Sequence, residues 1–220
     1  TDVSKPAEVD ALAKKALDAF GAVHVVCNNA GVASAGNSWE MTLDDWQWVL
    51  GVNLWGVIYG VKTFVPIMLS QGSEGHIVNT ASMAGLVSGP GMASYNVAKF
   101  GVVTLSETLH HELNAIGSKI KVSVLCPGWV NPRIADAERN RPATLAKAAT
   151  PSPQQEMVMG MVRQFLESGL SPDRVAELVV EAIRSERLYI LTHPEWAPMI
   201  RARMEAIVAQ QNPSFTGFTE

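Results

Sequence analysis

Only two cysteines occur in 220 residues, Cys27 and Cys126, so the chain carries no disulfide framework. Each closes an apolar, strand-like run, and two buried free thiols in a reducing, cytoplasmic setting are expected. Positive charge is in short supply: 17 Lys+Arg stand against 21 Asp+Glu, a net charge of −4. That balance argues against a nucleic-acid binder, which usually carries a basic face. No apolar run reaches the length of a membrane span, and the opening residues read as no signal peptide. Internal repeats, low-complexity tracts and inter-domain linkers are absent too. No G-x-S-x-G occurs, which excludes a hydrolase of the nucleophile-elbow type. His110-His111-Glu112 hints at a zinc protease, but H-E-x-x-H would need a histidine where Ala115 stands. No metal site is expected.

What is present suits one α/β domain. Apolar residues make up 47% of the chain and charged residues 17%, enough to bury a sizeable core. Ser4 is placed to cap a helix with Pro6 in its first turn, and Val9, Leu12, Ala16, Leu17 and Phe20 form its apolar stripe up to Gly21. "VHVVCNNAG" reads as a strand over 23–27 meeting a turn at 28–31. A long helix follows, with Thr42 and Asp45 as its capping pair. "GHIVNTAS" is a second strand, Ala93 to about Ile116 a helix, and "KIKVSVLCPG" a third strand closed by Pro-Gly. Ser171-Pro172-Asp173 opens another helix, and "RLYILT" is a fourth strand. Alternation of this kind implies a doubly wound, mostly parallel sheet with helices on both faces, in three layers. The interval 131–168 carries no strand signal and is rich in Pro, Ala, Met and Gln. It reads either as a substrate lid inserted in the domain or as a plain helical excursion.

In open α/β sheets, ligands bind beyond the carboxyl ends of the strands. Asn29-Ala30-Gly31 follow the first strand, Ser82 the second, and Pro127-Gly128 the third. Tyr95 and Lys99, four apart in "ASYNVAKFG", share one face at the start of the helix after the second strand. Three strand ends and a helix start therefore meet. A phenol is a poor base at neutral pH, but a nearby ammonium favours its ionised form. Ser82 can donate a hydrogen bond to a substrate oxygen. Asn53 interrupts a long helix, where an amide is a mediocre helix former. It is either a holder of a proton-relaying water or a solvent-facing side chain.

Taken in order, "TDV", "NNAG", "VN" inside a long helix, "HIVNTASMAG", "YNVAK" and "PGWV" resemble the short-chain dehydrogenase/reductase family over roughly residues 1–191. The resemblance implies a Rossmann-like fold and NAD or NADP as cofactor, the choice between them not readable. It implies Tyr95 as general acid/base, Lys99 lowering its pKa and binding the nicotinamide ribose, Ser82 orienting the carbonyl, and Asn53 completing a proton relay. It further implies Asp2 and Val3 beside the adenine, Asn29, Ala30 and Gly31 lining the cofactor groove, and Pro127, Gly128 and Val130 flanking the nicotinamide. The substrate expected is a hydrophobic or mixed alcohol or ketone, with Met92 and Trp129 in its pocket and Met157, Met159, Met161 and Phe165 as lid or core residues. Related enzymes pair the helices corresponding to 44–70 and 93–116, and Trp46, Trp48, Trp55 and Tyr59 broaden the first of these, so a homodimer or homotetramer is expected.

Two departures from the family pattern stand out. No G-x-G-x-x-G occurs, and the phosphate loop that carries it should precede "TDV", so the chain reads as the C-terminal three-quarters of a dehydrogenase, short by about two βα units, or roughly 60 residues. Pro132 stands where the family commonly has a threonine, and proline offers neither hydroxyl nor N–H. Both departures favour a rival reading, a non-catalytic interaction protein of the same fold. The complete Asn53, Ser82, Tyr95, Lys99 set favours the enzyme.

Overall fold

A computed structural model of the chain describes residues 1–130, 133–145, 160 and 168–213. Four parallel strands, β1 (Val25–Asn28), β2 (Gly75–Thr80), β3 (Ile120–Cys126) and β4 (Tyr189–Leu191), lie side by side in chain order. The helices are α1 (Pro6–Phe20), α2 (Leu43–Leu50), α3 (Gly56–Gln71), α4 (Ala93–Ala115), α5 (Pro172–Arg184) and α6 (Ala197–Val208). This is the expected α/β architecture.

Period-two alternation sends each strand's side chains to both faces. Val122, Val124 and Cys126 of β3 face a core built with α1, α3 and α4, where Val9, Phe64, Met68, Val102 and Leu109 are buried. Leu125 of β3 and Val78 of β2 face the other way, onto Val175 and Ala182 of α5. On that second face Val25 is half exposed and Cys27 exposed, because no described helix lies over β1 there. The expectation of two buried thiols therefore holds for Cys126 and fails for Cys27. Beneath α5, buried His76 meets Ser123 Oγ at 2.8 Å, and Ser123 Oγ donates to the Arg187 carbonyl at 2.6 Å. Since the serine's one proton is committed, His76 Nε2 is the donor, and burial holds the imidazole below its usual pKa.

Helix ends follow their local chemistry. Thr42 and Asp45 form a complete capping box, Ser171 caps α5 by accepting from Arg174 N, and Gly21 ends α1. Ser4 departs from expectation: the cap position of α1 is Lys5, without a side-chain cap, and Ser4 N and Oγ instead donate to Asp2 Oδ1 at 3.0 and 2.7 Å. The first strand begins at Val25 and not at Val23, because the Gln71 side chain pairs both Val23 N and Val23 O, taking them from the sheet.

From Leu43 to Gln71 the chain is helical for 29 residues, long and apolar enough to cross a membrane by length and composition. That corrects the reading that no segment reaches such a length. In the fold it is a core helix: Trp48, Val49, Val57, Phe64 and Met68 are buried. Pro66 lies inside α3 without ending it. Between α2 and α3, Gly51–Trp55 form a π turn centred on Asn53. One turn later Gly60 admits the Asn28 side chain so closely that any Cβ there would collide with it. Asn28 can therefore donate to Asn79 Oδ1 at 2.8 Å, and Asn79 Nδ2 to Ser106 Oγ at 3.0 Å, tying β1, β2 and α4 together.

Candidate active site

The loops after β1, β2 and β3 and the first turns of α4 meet at the carboxyl edge of the sheet. Lys99 is 3% exposed, and its Nζ donates to the Thr80 carbonyl at 2.7 Å while lying 5.5 Å from the Tyr95 ring centroid. Burial pulls the lysine pKa down to about 8. Tyr95 is pushed above the ordinary phenol value by burial, and the Ser82 hydroxyl offsets part of that. Ser82 itself is fixed from two sides: its Oγ accepts from Ala84 N at 3.1 Å and donates to the Pro127 carbonyl at 3.4 Å. The carbonyl of Pro127 also accepts from Met83 N at 2.8 Å, so the ends of β2 and β3 are stitched directly at the serine.

Asn53 is neither solvent-facing nor open. It is fully buried, its Oδ1 accepts from Val32 N and its Nδ2 donates to Val32 O, both at 2.8 Å. The side chain thereby holds the Gly31–Val32 loop in place. Asn29, Ala30 and Gly31 are exposed and form a ledge, with Asn29 Oδ1 accepting from Thr80 Oγ1 at 3.1 Å. A Cβ on Gly31 would point into a space bounded by Asn53 Oδ1 at 3.6 Å and Lys99 Nζ at 3.9 Å. A flat polar ligand can lie on that ledge within reach of the lysine.

Asp2 and Val3 sit just before α1 at the π turn, where Val3 packs onto Gly56. The Ser4 side-chain hydrogen bond, the largest influence, holds the Asp2 carboxyl below its usual pKa against the opposing effect of burial, with the Ser4 N–H and Lys5 adding to it. Met92 precedes α4 and bridges to Gly36, whose N–H donates to Gly91 O at 3.0 Å. Pro127, Gly128, Trp129 and Val130 follow β3, and Val130 pairs with Leu170. Pro132, Met157, Met159, Met161 and Phe165 lie outside the described residues, as does most of the interval read as a lid.

Several contributors had no motif to announce them. Thr80 acts through its carbonyl, and any residue has one. Thr192 Oγ1 accepts from Gly128 N at 3.1 Å and shares a 2.7 Å hydrogen bond with His193 Nδ1. Gly128 is needed there, since a Cβ would run into His193 and Trp196 at 2.7 Å. The segment after β4, unremarkable in sequence, therefore braces the loop that follows β3.

Comparison with known proteins bears on this geometry. Residues 1–143 match the family model described as short chain dehydrogenase. The chain belongs to the short-chain dehydrogenase family. It is 48% identical to a short chain dehydrogenase/reductase from Burkholderia phymatum, solved in complex with NAD, with a TM-score of 0.96 over 100% of this chain and 78% of that one. It is 36% identical, over 96% of its length and 75% of the relative's, to a CLA biosynthesis dehydrogenase/reductase of Lactiplantibacillus plantarum. A C alpha-dehydrogenase of Sphingobium sp. is 33% identical over 86% of this chain and 61% of its own length. The chain thus spans from about three fifths to three quarters of these curated relatives. As a short-chain dehydrogenase it is an oxidoreductase by family, and its Rossmann-like sheet is that of its solved neighbours.

Proposed function

We propose that this short-chain dehydrogenase is an NAD- or NADP-dependent oxidoreductase that interconverts a hydrophobic or mixed secondary alcohol and its ketone, with Tyr95 as general acid/base. The observation that carries the reading is the convergence of Ser82, Tyr95 and Lys99 beside the Gly31 ledge at the carboxyl ends of three parallel strands. The cofactor fits this donor set: the ledge is free of side-chain bulk, and a buried lysine with two remaining N–H groups borders it. Asn29, Ala30 and Gly31 would hold it on one side, Pro127, Gly128 and Val130 on the other, with Asp2 and Val3 toward the adenine. A nicotinamide held there would supply hydride-transfer chemistry at the alcohol or ketone carbon.

The chain's own residues handle the proton. As phenolate Tyr95 takes the proton from the alcohol hydroxyl, and as phenol it supplies one to the ketone oxygen; Ser82 turns its proton from the long 3.4 Å contact with the Pro127 carbonyl to donate to that same oxygen. Lys99 supplies positive charge near the phenol and remains largely protonated at neutral pH with a pKa of about 8. Asn53 contributes by fixing Val32, and hence the ledge, against Lys99. Trp129 and Met92 give the substrate side an apolar lining. The relatives' names, CLA biosynthesis dehydrogenase/reductase and C alpha-dehydrogenase, support the oxidoreductase part of the reading.

Tyr95→Phe tests the assignment. The ring still packs, so the fold and NADH affinity measured by calorimetry stay within about twofold, while kcat on a secondary-alcohol panel falls about 10²–10⁴-fold. Retention of more than about a tenth of kcat removes Tyr95 from the role.

A further inference from the structure

Residues 133–145 follow the loop after β3 and reach the neighbourhood of Tyr95. Ala137 is buried in a cluster with Val32, Trp48 and Val49, and Tyr95 and Leu145 pack against the same cluster. This segment therefore forms part of the wall behind the tyrosine ring. Besides this apolar packing, a polar tie to the rest of the molecule runs through Arg141. Arg141 Nη2 donates to Asp45 Oδ1 at 2.7 Å, and the two side chains are only 4% and 6% exposed. Arg141 Nη1 donates to Glu138 Oε1 at 3.2 Å, which ties the arginine to its own segment. The guanidinium carbon lies 4.9 Å from the Trp48 ring centroid.

Asp45 is held firmly in its turn. Its Oδ2 accepts from Thr42 N at 2.9 Å and Thr42 Oγ1 at 2.7 Å, which completes the capping box of α2. Five residues beyond Trp48 in the chain, Asn53 fixes Val32 by two hydrogen bonds. Arg141, Asp45, Trp48, Val32 and Tyr95 thus form one continuous packed unit. A surface ion pair would add little to such a unit, but this pair is shielded from water and has a planar guanidinium stacked on an indole.

We propose that Arg141 is a positioning residue: its buried ion pair with Asp45 and its stacking on Trp48 dock residues 133–145 against Tyr95, and so set how an alcohol or ketone is held for reaction. The inference rests on the alcohol/ketone reading of the same site. Arg141 touches neither the reacting atoms nor the Gly31 ledge, and Val32, which borders that ledge, is held independently by Asn53, so the effect of Arg141 falls on the substrate side.

The test uses the intact enzyme with 1-phenylethanol and acetophenone as probes, and three variants: Arg141→Met, Arg141→Lys and the double variant Asp45→Asn/Arg141→Met, which leaves no buried charge unpaired. In Arg141→Met, kcat/KM falls about 10- to 100-fold, mostly through KM, while NADH affinity stays within about twofold. Arg141→Lys restores part of the loss, since an ammonium reaches Asp45 but cannot form the fork or stack in the same way. Amide exchange over 133–145 quickens in Arg141→Met and in the double variant, with the sheet unchanged. Variants that keep parental kcat/KM, or a loss of NADH affinity in step with activity, overturn the positioning role; unchanged exchange over 133–145 overturns the docking. An intact parent that binds NADH but turns over neither probe nor any alcohol of the wider panel contradicts the proposed function instead, and the exchange result still decides the docking.

Discussion

Lys99 carries an electrostatic cost that the molecule keeps in order to have a cation at the site. Its pKa is about 8 in the fold, from an ordinary value of 10.5, because burial disfavours the charged form. A lysine lowered on folding destabilises the native state below pH 8, and that penalty is relieved as pH rises from 8 towards 10.5, where the unfolded chain holds the extra proton. Comparing thermal melts of the parent and Lys99→Met between pH 7 and 9.5 isolates the effect: the parent gains stability relative to the variant as pH rises, by up to about 3 kcal/mol across the full window. A constant difference over that range shows the lysine to be less buried than its 3% exposure indicates. At this scale the sequence was informative where side chains do the work. The meeting of Ser82, Tyr95 and Lys99 was legible because a strand end and the following helix start place them at one edge of the sheet. The Thr80 carbonyl that receives Lys99 was not, because backbone acceptors leave no mark in the amino-acid code. Arg141 was missed for another reason: its partner Asp45 is 96 residues away and already had a capping role.

Elements were legible wherever periodicity and caps agreed, as in the Thr42–Asp45 box and the Ser171 cap. The π turn at Gly51–Trp55 shows in the sequence only as an asparagine inside a helix. Its cause is tertiary: both amide atoms of Asn53 reach the Val32 backbone, a partner invisible to local sequence. Asn53→Ala leaves a buried N–H and a buried C=O without partners, at about 1–3 kcal/mol for each unsatisfied group. Urea denaturation should therefore show a loss of roughly 2–5 kcal/mol, against the fraction of a kcal/mol that alanine gains by helix propensity. A loss below about 1 kcal/mol means that the loop re-pairs elsewhere. The first strand taught a similar lesson. Val23 has strand character, but the Gln71 side chain claims its backbone and the strand starts two residues later.

Across the whole molecule, fold class was the most legible property, since alternating strands and helices admit few arrangements. Exposure was the least legible, as Cys27 shows: an apolar run does not say which of its faces is covered. The broad apolar face expected on the 44–70 helix resolves into two parts. Trp48 is buried beneath Arg141, whereas Trp55 lies against Tyr59 with ring centroids 5.7 Å apart and remains 49% exposed. Its neighbour Leu54 packs on Gly101 of α4, so Trp55 stands where the two helices meet. Trp55→Glu places a charge there, and sedimentation velocity should show a dimer or tetramer in the parent and a monomer in the variant; equal sedimentation of both proteins excludes this face as the contact. The sheet's order has a consequence for how the molecule is made. Each strand's neighbour is the next one synthesised, yet the bonded partners Asn28–Asn79, His76–Ser123 and Ser123–Arg187 are 51, 47 and 64 residues apart. At about 5–20 residues per second a ribosome needs roughly 2–13 s to deliver each partner, far longer than the microseconds in which a helix forms. Helices α1, α3 and α4 can thus be in place before the strands they will cover are paired, and the sheet grows at the pace of translation, one strand per crossover.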